Sequence, residues 1–233
     1  MWDGPYGDFG SKKYLVSSLD QSLKRIGIDY VDIFYHHRPD PSTPLEETIG
    51  ALDLMVRQGK ALYVGISSYD EKETKAALKM FNELGTPCLI HQPRYSMFDR
   101  WIEDGLLELL GEEGVGCIVF SPLKQGLLTN KYLNGIPKTS RAASGRGNGA
   151  IEVDQITHER IEIVRKLDGV AKERGQSLAQ MALLWAKRDP RVTSVLLGVS
   201  RPEQLEDSLA ALKKPGFQED EIEKIDKILS GAL

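Results

Sequence analysis

Apolar residues along this chain fall into two alternating patterns. Short, near-continuous apolar runs occur at VDIFYHH (31–37), YVGISSY (63–69), CLIHQ (88–92), CIVFSPLKQG (117–126) and TSVLLGVS (193–200). Each run ends in polar residues at its carboxyl end. Buried parallel strands read this way, because both of their faces are covered. Between the runs, apolar residues recur at helical spacing. Residues 11–26 carry Leu15, Leu19, Leu23 and Ile26 on one predicted face, with Gly27 as the stop. Thr43, Pro44 and Glu46 predict a capped helix start, and that helix ends near Gly59. Further helices are predicted at 71–84, 102–112, 156–174, 177–188, 202–213 and 220–230, and strands at 30–37, 61–68, 88–92, 116–121 and 193–199. Such alternation predicts an α/β fold with a parallel sheet.

In a closed barrel of this kind, chemistry sits at the carboxyl ends of the strands. That places His37, Ser67, Gln92, Ser121 and Ser200 near one rim. Five strands are visible, whereas a closed (β/α)8 barrel needs eight. Residues 134–150 are rich in Gly, Ser and Arg; a loop of that length is uncommon in a compact domain and is functional or disordered. No internal repeat and no second domain is indicated.

Composition narrows the function classes. With 233 residues, 41% hydrophobic and 27% charged, the chain reads as an ordinary globular domain. A net charge of −4 gives no support to a nucleic-acid or anionic-membrane partner. Cys88 and Cys117 lie inside strand runs and read as core thiols, which fits a cytoplasmic setting. No metal-ligand spacing, no apolar run of membrane length and no signal pattern occurs in the sequence.

Each strand end has an ordinary reading beside a chemical one. Adjacent His36 and His37 point to opposite faces of a strand, so one suits a core and the other a rim, where a His can polarise a carbonyl. Ser67 and Ser68 fit a plain turn or a contact to a flat amide. Gln92 offers both a donor and an acceptor to a carboxamide. Phe120 fits a core position or a platform for a heteroaromatic ring. Arg201, opening a helix after Gly198 and Ser200, fits an exposed surface cation or a phosphate ligand.

Taken in order, these strand ends resemble the aldo/keto reductases, NADPH-dependent barrel reductases of carbonyls. The resemblance runs from Trp2 to the last helix. It is strongest in KYLVSSLDQSLKRIGIDYVDIFYHHRPD, GKALYVGISSYD, HQPRYSMFDRW, GVGCIVFSPLKQGLLTNKYLNGIP and RVTSVLLGVSRPEQLEDSL. Within the family, the chain is similar to the branch holding the bacterial L-glyceraldehyde 3-phosphate reductases and the potassium-channel β subunits.

The resemblance implies an NADPH-dependent reduction of a small aldehyde or ketone, such as L-glyceraldehyde 3-phosphate or methylglyoxal. His37 matches the family His that orients the carbonyl. Ser67 and Gln92 match the holders of the nicotinamide carboxamide, and Phe120 the ring that stacks on it. Ser121, Leu123 and Gly126 match the pyrophosphate lining, and Lys131 and Arg141 match basic cofactor contacts. Gly198, Ser200, Arg201 and Gln204 match the cradle of the adenosine 2′-phosphate. The family's Glu-Asn pair for adenine is Asp207-Ser208 here, and the residue after Ser67 is Ser68 rather than Asn or Arg.

The family's catalytic tetrad joins Asp, Tyr and Lys to the His. Here only His37 has a counterpart; Tyr6, Tyr14 and Tyr35 do not fall at the matching strand end. The resemblance therefore implies a single partial barrel domain over 1–233: the last five βα units plus extra C-terminal helices, lacking the first three units, roughly 90 residues. It implies open sheet edges, little or no turnover by this chain alone and, as partners, a small carbonyl substrate and a second copy of the chain in a homo-oligomer. The alternatives are a non-catalytic NADPH-binding or assembly module and the product of a gene remnant.

Overall fold

A computed structural model describes residues 10–138, 140–144, 151–214 and 216–231. Tyr6, the first residues of the family resemblance and most of the Gly-rich tail of the 134–150 loop lie outside the described residues. The elements run α1 (Lys12–Ile26), β1 (Val31–His36), α2 (Leu45–Arg57), β2 (Ala61–Ser67), α3 (Glu71–Leu84), β3 (Cys88–Gln92), α4 (Leu106–Glu112), β4 (Gly116–Val119), α5 (Arg141–Ser144), α6 (His158–Glu173), α7 (Leu178–Ala186), β5 (Val192–Val195), α8 (Pro202–Ala210) and α9 (Glu219–Leu229). Strand order follows chain order, β1-β2-β3-β4-β5. The β1–β2, β2–β3 and β3–β4 pairings are parallel. The chain divides into two compact units: residues up to Pro93 together with Trp101–Ile118, and Arg94–Arg100 together with Val119–Leu233.

In the first unit, local chemistry sets the helix ends. Ser11 accepts from the Tyr14 N–H to start α1, and Gly27 ends it in the left-handed region at φ 80°. Leu15, Leu19 and Leu23 are buried as the pattern predicts, whereas Ile26 is exposed in the last turn. Asp70 and Glu73 form a reciprocal capping box on α3, whose bounds are those read from the sequence. The predicted Thr43 cap on α2 is not formed. Pro44 takes the cap position, and Thr43 Oγ1 instead donates to Asp40 Oδ2 at 2.6 Å. Asp40 also accepts from the backbone N–H groups of Gly10 and Ser42, so its carboxylate outcompetes the helix end for the Thr43 hydroxyl. The predicted 102–112 helix is split: a 3-10 turn at Trp101–Glu103 precedes α4, and Gly105 at φ 86° breaks the path between them.

In the second unit, the single strand predicted at 193–199 shortens to β5 at Val192–Val195, and residues 196–199 are exposed. Leu196 N–H donates to Val119 O at 2.8 Å. The long loop contains the short helix α5. Trp185 is fully buried in α7, with the Arg188 guanidinium 3.6 Å from its ring centre. Arg174, buried at the end of α6, donates to Gln176 Oε1, to Gly216 O and to Glu221 of α9, and lies 3.9 Å from the Phe217 ring centre. Those four contacts satisfy a buried cation that would otherwise cost several kcal/mol.

Cys88 and Cys117 are buried free thiols, as read from the sequence. Burial pushes the Cys88 thiol up to about 11, so it is neutral at physiological pH. Among the described residues, no helix is long and apolar enough to cross a membrane.

Candidate functional site

In the first unit, the parallel register places the strand ends on successive rungs of the sheet. His36, Ile66 and His91 lie side by side on one rung. On the next rung Ser67 pairs with Gln92, and His37 follows the last residue of β1. Alternation of side chains sends these rungs to opposite faces. His36 and His91 are buried, and His37 is exposed. The two adjacent histidines therefore divide between a buried and an exposed position.

The rung of Ser67, which is buried, and half-buried Gln92 is tightly bonded. Ser67 Oγ donates to Gln92 O at 2.7 Å, and the Ser68 N–H donates to the same oxygen at 3.3 Å. The Tyr35 hydroxyl hydrogen-bonds the Gln92 side chain. Desolvation raises the Tyr35 pKa despite that bond, so the phenol stays protonated. Ser68 sits in the left-handed region at φ 62°. Gly65 is required two rungs back: a Cβ there would meet the Tyr35 ring at 2.8 Å and the Ile90 backbone oxygen at 2.9 Å.

In the second unit, the loop after β4 folds on itself. Ser121 stands at φ 57°, its carbonyl accepts from Lys124 N–H at 2.9 Å, and its hydroxyl accepts from Gln125 Nε2 at 3.0 Å. Lys124 and Gln125 are also left-handed, at φ 45° and 56°. Non-glycine residues in this region are uncommon and strained, and they gather at ligand sites. Leu123 O accepts from the Gly126 and Leu128 N–H groups, and Gly126 is held at φ 94°. Phe120 is half-buried and bridges to Arg94. The Lys131 ammonium lies 5.5 Å from the ring centre of Tyr132. Arg141 begins α5; its side chain lies outside the described residues.

The strand-to-helix turn at 198–204 is exposed throughout. Gln204 Oε1 accepts from the Ser200 N–H at 2.9 Å and the Ser200 hydroxyl at 3.2 Å. Arg201 caps α8 in an extended conformation, with Pro202 at the first helical position. Asp207 faces α7: its carboxylate accepts from Gln180 Nε2 at 2.8 Å and Ser177 Oγ at 3.5 Å. Ser208 Oγ donates to Gln204 O at 2.7 Å.

A family model described as the aldo/keto reductase family matches residues 1–230. The chain belongs to the aldo/keto reductase family. It is 52% identical over 236 residues to the L-glyceraldehyde 3-phosphate reductase of Escherichia coli (strain K12), with all of this chain and 68% of that protein aligned. It is 35% identical over 224 residues to a putative voltage-gated potassium channel subunit beta of Schizosaccharomyces pombe, with 94% of this chain and 65% of that protein aligned. A probable voltage-gated potassium channel subunit beta of Arabidopsis thaliana is 36% identical over 220 residues, covering 91% of this chain and 66% of that protein.

Aldo/keto reductases are oxidoreductases built on the (β/α)8 barrel, and five parallel strands with intervening helices form part of such a barrel. In this aldo/keto reductase, the first unit gathers His37, Ser67 and Gln92, and the second holds Phe120, Ser121, Leu123, Gly126, Lys131, Arg141, Gly198, Ser200, Arg201, Gln204 and Asp207. Two features escaped the sequence reading. One is the run of left-handed residues Ser68, Ser121, Lys124 and Gln125, which no residue type announces. The other is a buried network behind the first rim. His36 Nδ1 and the Tyr69 hydroxyl share a 2.6 Å hydrogen bond, and His91 Nε2 donates to Tyr69 O at 3.1 Å. Histidines one position before His37 and Gln92 were its only trace in the sequence.

Proposed function

We propose that this chain is a cytoplasmic, NADPH-binding reductase component that orients a small aldehyde for hydride transfer. The observation that carries the reading is the rung of Ser67 and Gln92 beside His37, at the carboxyl ends of neighbouring parallel strands. Ser67 spends its proton on Gln92 O, which leaves its lone pairs to accept from a carboxamide N–H. The Gln92 side chain, steadied by Tyr35, presents an amide to the same flat group. Phe120 offers a ring face, and Arg201 with the N-terminus of α8 offers charge for a 2′-phosphate.

Bound NADPH supplies the hydride that reduces the carbonyl carbon. His37 donates a hydrogen bond to the carbonyl oxygen and fixes which face receives it. The proton for that oxygen needs an acid. The 233 residues carry no counterpart of the family's Asp, Tyr and Lys; Tyr14 stands on α1, and Tyr35 is engaged with Gln92. Loss of a positioned general acid removes about 10²–10⁴-fold in rate. The chain alone is accordingly a cofactor binder with weak turnover. L-glyceraldehyde 3-phosphate is the first substrate to test, followed by methylglyoxal. A purely non-catalytic NADPH-binding module is the second reading, favoured by that same missing acid.

The test is a fluorescence titration of the purified chain with NADPH, followed by aldehyde-dependent NADPH oxidation. Saturable binding with little oxidation is expected. No binding at millimolar cofactor overturns the proposal, and rapid oxidation overturns the statement that the acid is missing.

A further inference from the structure

Behind the Ser67–Gln92 rung lies a bonded assembly with no role in the proposed function. Tyr69 is 1% exposed, His36 1% and His91 0%. One residue, Tyr69, holds both neighbouring strands: its hydroxyl meets His36 of β1, and its carbonyl accepts from His91 of β3. Because a carbonyl only accepts, His91 carries its proton on Nε2. Desolvation lowers the His91 pKa to about 4, so the ring is neutral at physiological pH. The other nitrogen of the His36 ring faces Gly10: a Cβ there would stand 2.6 Å from Thr48 Oγ1, 3.0 Å from Asp40 Cβ and 3.2 Å from His36 Nε2.

Every member sits next to a rim residue. His36 precedes His37, His91 precedes Gln92, and Tyr69 follows Ser67 and Ser68. One peptide bond transmits a shift of a buried side chain to the rim, because strand residues alternate faces on a stiff backbone. The segment 67–69 is thereby clamped twice, by Ser67 and Ser68 onto Gln92 O on one side and by Tyr69 onto His36 and His91 on the other. This double clamp also holds Ser68 in its left-handed conformation.

We infer that Tyr69, through His36 and His91, is a positioning residue that sets the height and spacing of His37, Ser67 and Gln92 for the nicotinamide end of the cofactor. The inference rests on the function proposed above. Its test uses Tyr69→Phe, which deletes the hydroxyl and keeps the ring. Two more variants bracket it: His36→Leu, which removes the partner, and His36→Asn, which retains a polar atom near the Nδ1 position.

Binding is read for NADPH and for 2′,5′-ADP, which lacks the nicotinamide half. Tyr69→Phe and His36→Leu are expected to weaken NADPH roughly fivefold to tenfold, the range of one lost hydrogen bond, and to leave 2′,5′-ADP unchanged. His36→Asn is expected to restore most of the affinity. Equal losses for both ligands, or no loss, overturn the inference while leaving the proposed function standing. If the unaltered chain binds neither ligand, the proposed function fails, and NMR decides the inference by itself. Shifts of the Ser68 amide and the Gln92 side-chain amide in Tyr69→Phe, absent from amides of α4, support it; unchanged resonances overturn it. If Tyr69→Phe does not fold, the two His36 variants carry the same comparison.

Discussion

The rim of the first unit and the 198–207 turn of the second are organised in opposite ways. Ser67 and Gln92 are fixed by bonds to the sheet and backed by the buried His36–Tyr69–His91 assembly. Ser200, Arg201 and Gln204 stand in solvent, joined mainly to each other. A group that must be aligned for hydride transfer needs sub-ångström placement, whereas a phosphate needs charge and a helix end. Under the proposed function the ordered rim would supply alignment, and the exposed turn would supply charge with its ordering cost met on binding.

Acid should separate the two regions most. His91 has a folded pKa of about 4 against an ordinary 6.5, so the unfolded chain takes up a proton first. The stability from keeping this ring neutral is fully present above about pH 6.5 and is lost as pH falls towards 4, about 3 kcal/mol in all. Urea midpoints measured across that window should fall with pH, and His91→Gln should flatten the slope.

Gly65→Ala is next. Its methyl group would press on the Tyr35 ring and the Ile90 carbonyl. A loss of about 1–3 kcal/mol is expected from thermal melts, with NADPH binding weakened through Tyr35 and Gln92. By contrast, Arg201→Ala should change stability by less than about 0.5 kcal/mol, since the side chain is exposed. It should still weaken NADPH about tenfold and NADH hardly at all in paired titrations, as expected for one charge-assisted phosphate contact. The smallest effect expected is Ser68→Gly. Relief of the left-handed strain at φ 62° should stabilise the chain by about 0.5–1 kcal/mol in denaturant unfolding. A destabilised Ser68→Gly would mean that the turn is held by its side chain rather than against its backbone preference.

Much of the fold was legible because local signals agreed. The α3 helix and β3 strand have the bounds that periodicity predicts, with Asp70 and Gly85 marking the helix ends. Local reading failed where a neighbouring side chain competed or a turn intervened. Thr43 was claimed by Asp40, which is itself tied to Gly10, 30 positions away. Gly105 split a helix that apolar spacing alone drew as continuous.

At the candidate site, the strand-end residue types and their order were visible. The bond between His36 and Tyr69 was not, because it joins residues 33 apart that share no pattern. Asp207 teaches the same lesson. The family resemblance aligns it with an adenine contact, and the contacts of its carboxylate with Gln180 and Ser177, 27 and 30 positions away, follow from no local pattern.

Arg174 has a practical corollary for anyone trimming this protein. Its guanidinium is sheltered by Glu221 and by the segment around Gly216 and Phe217. Deleting α9 would strip an anchoring carboxylate from an interior cation, so shortening from the carboxyl terminus should loosen α6 well before any ligand-facing residue is lost.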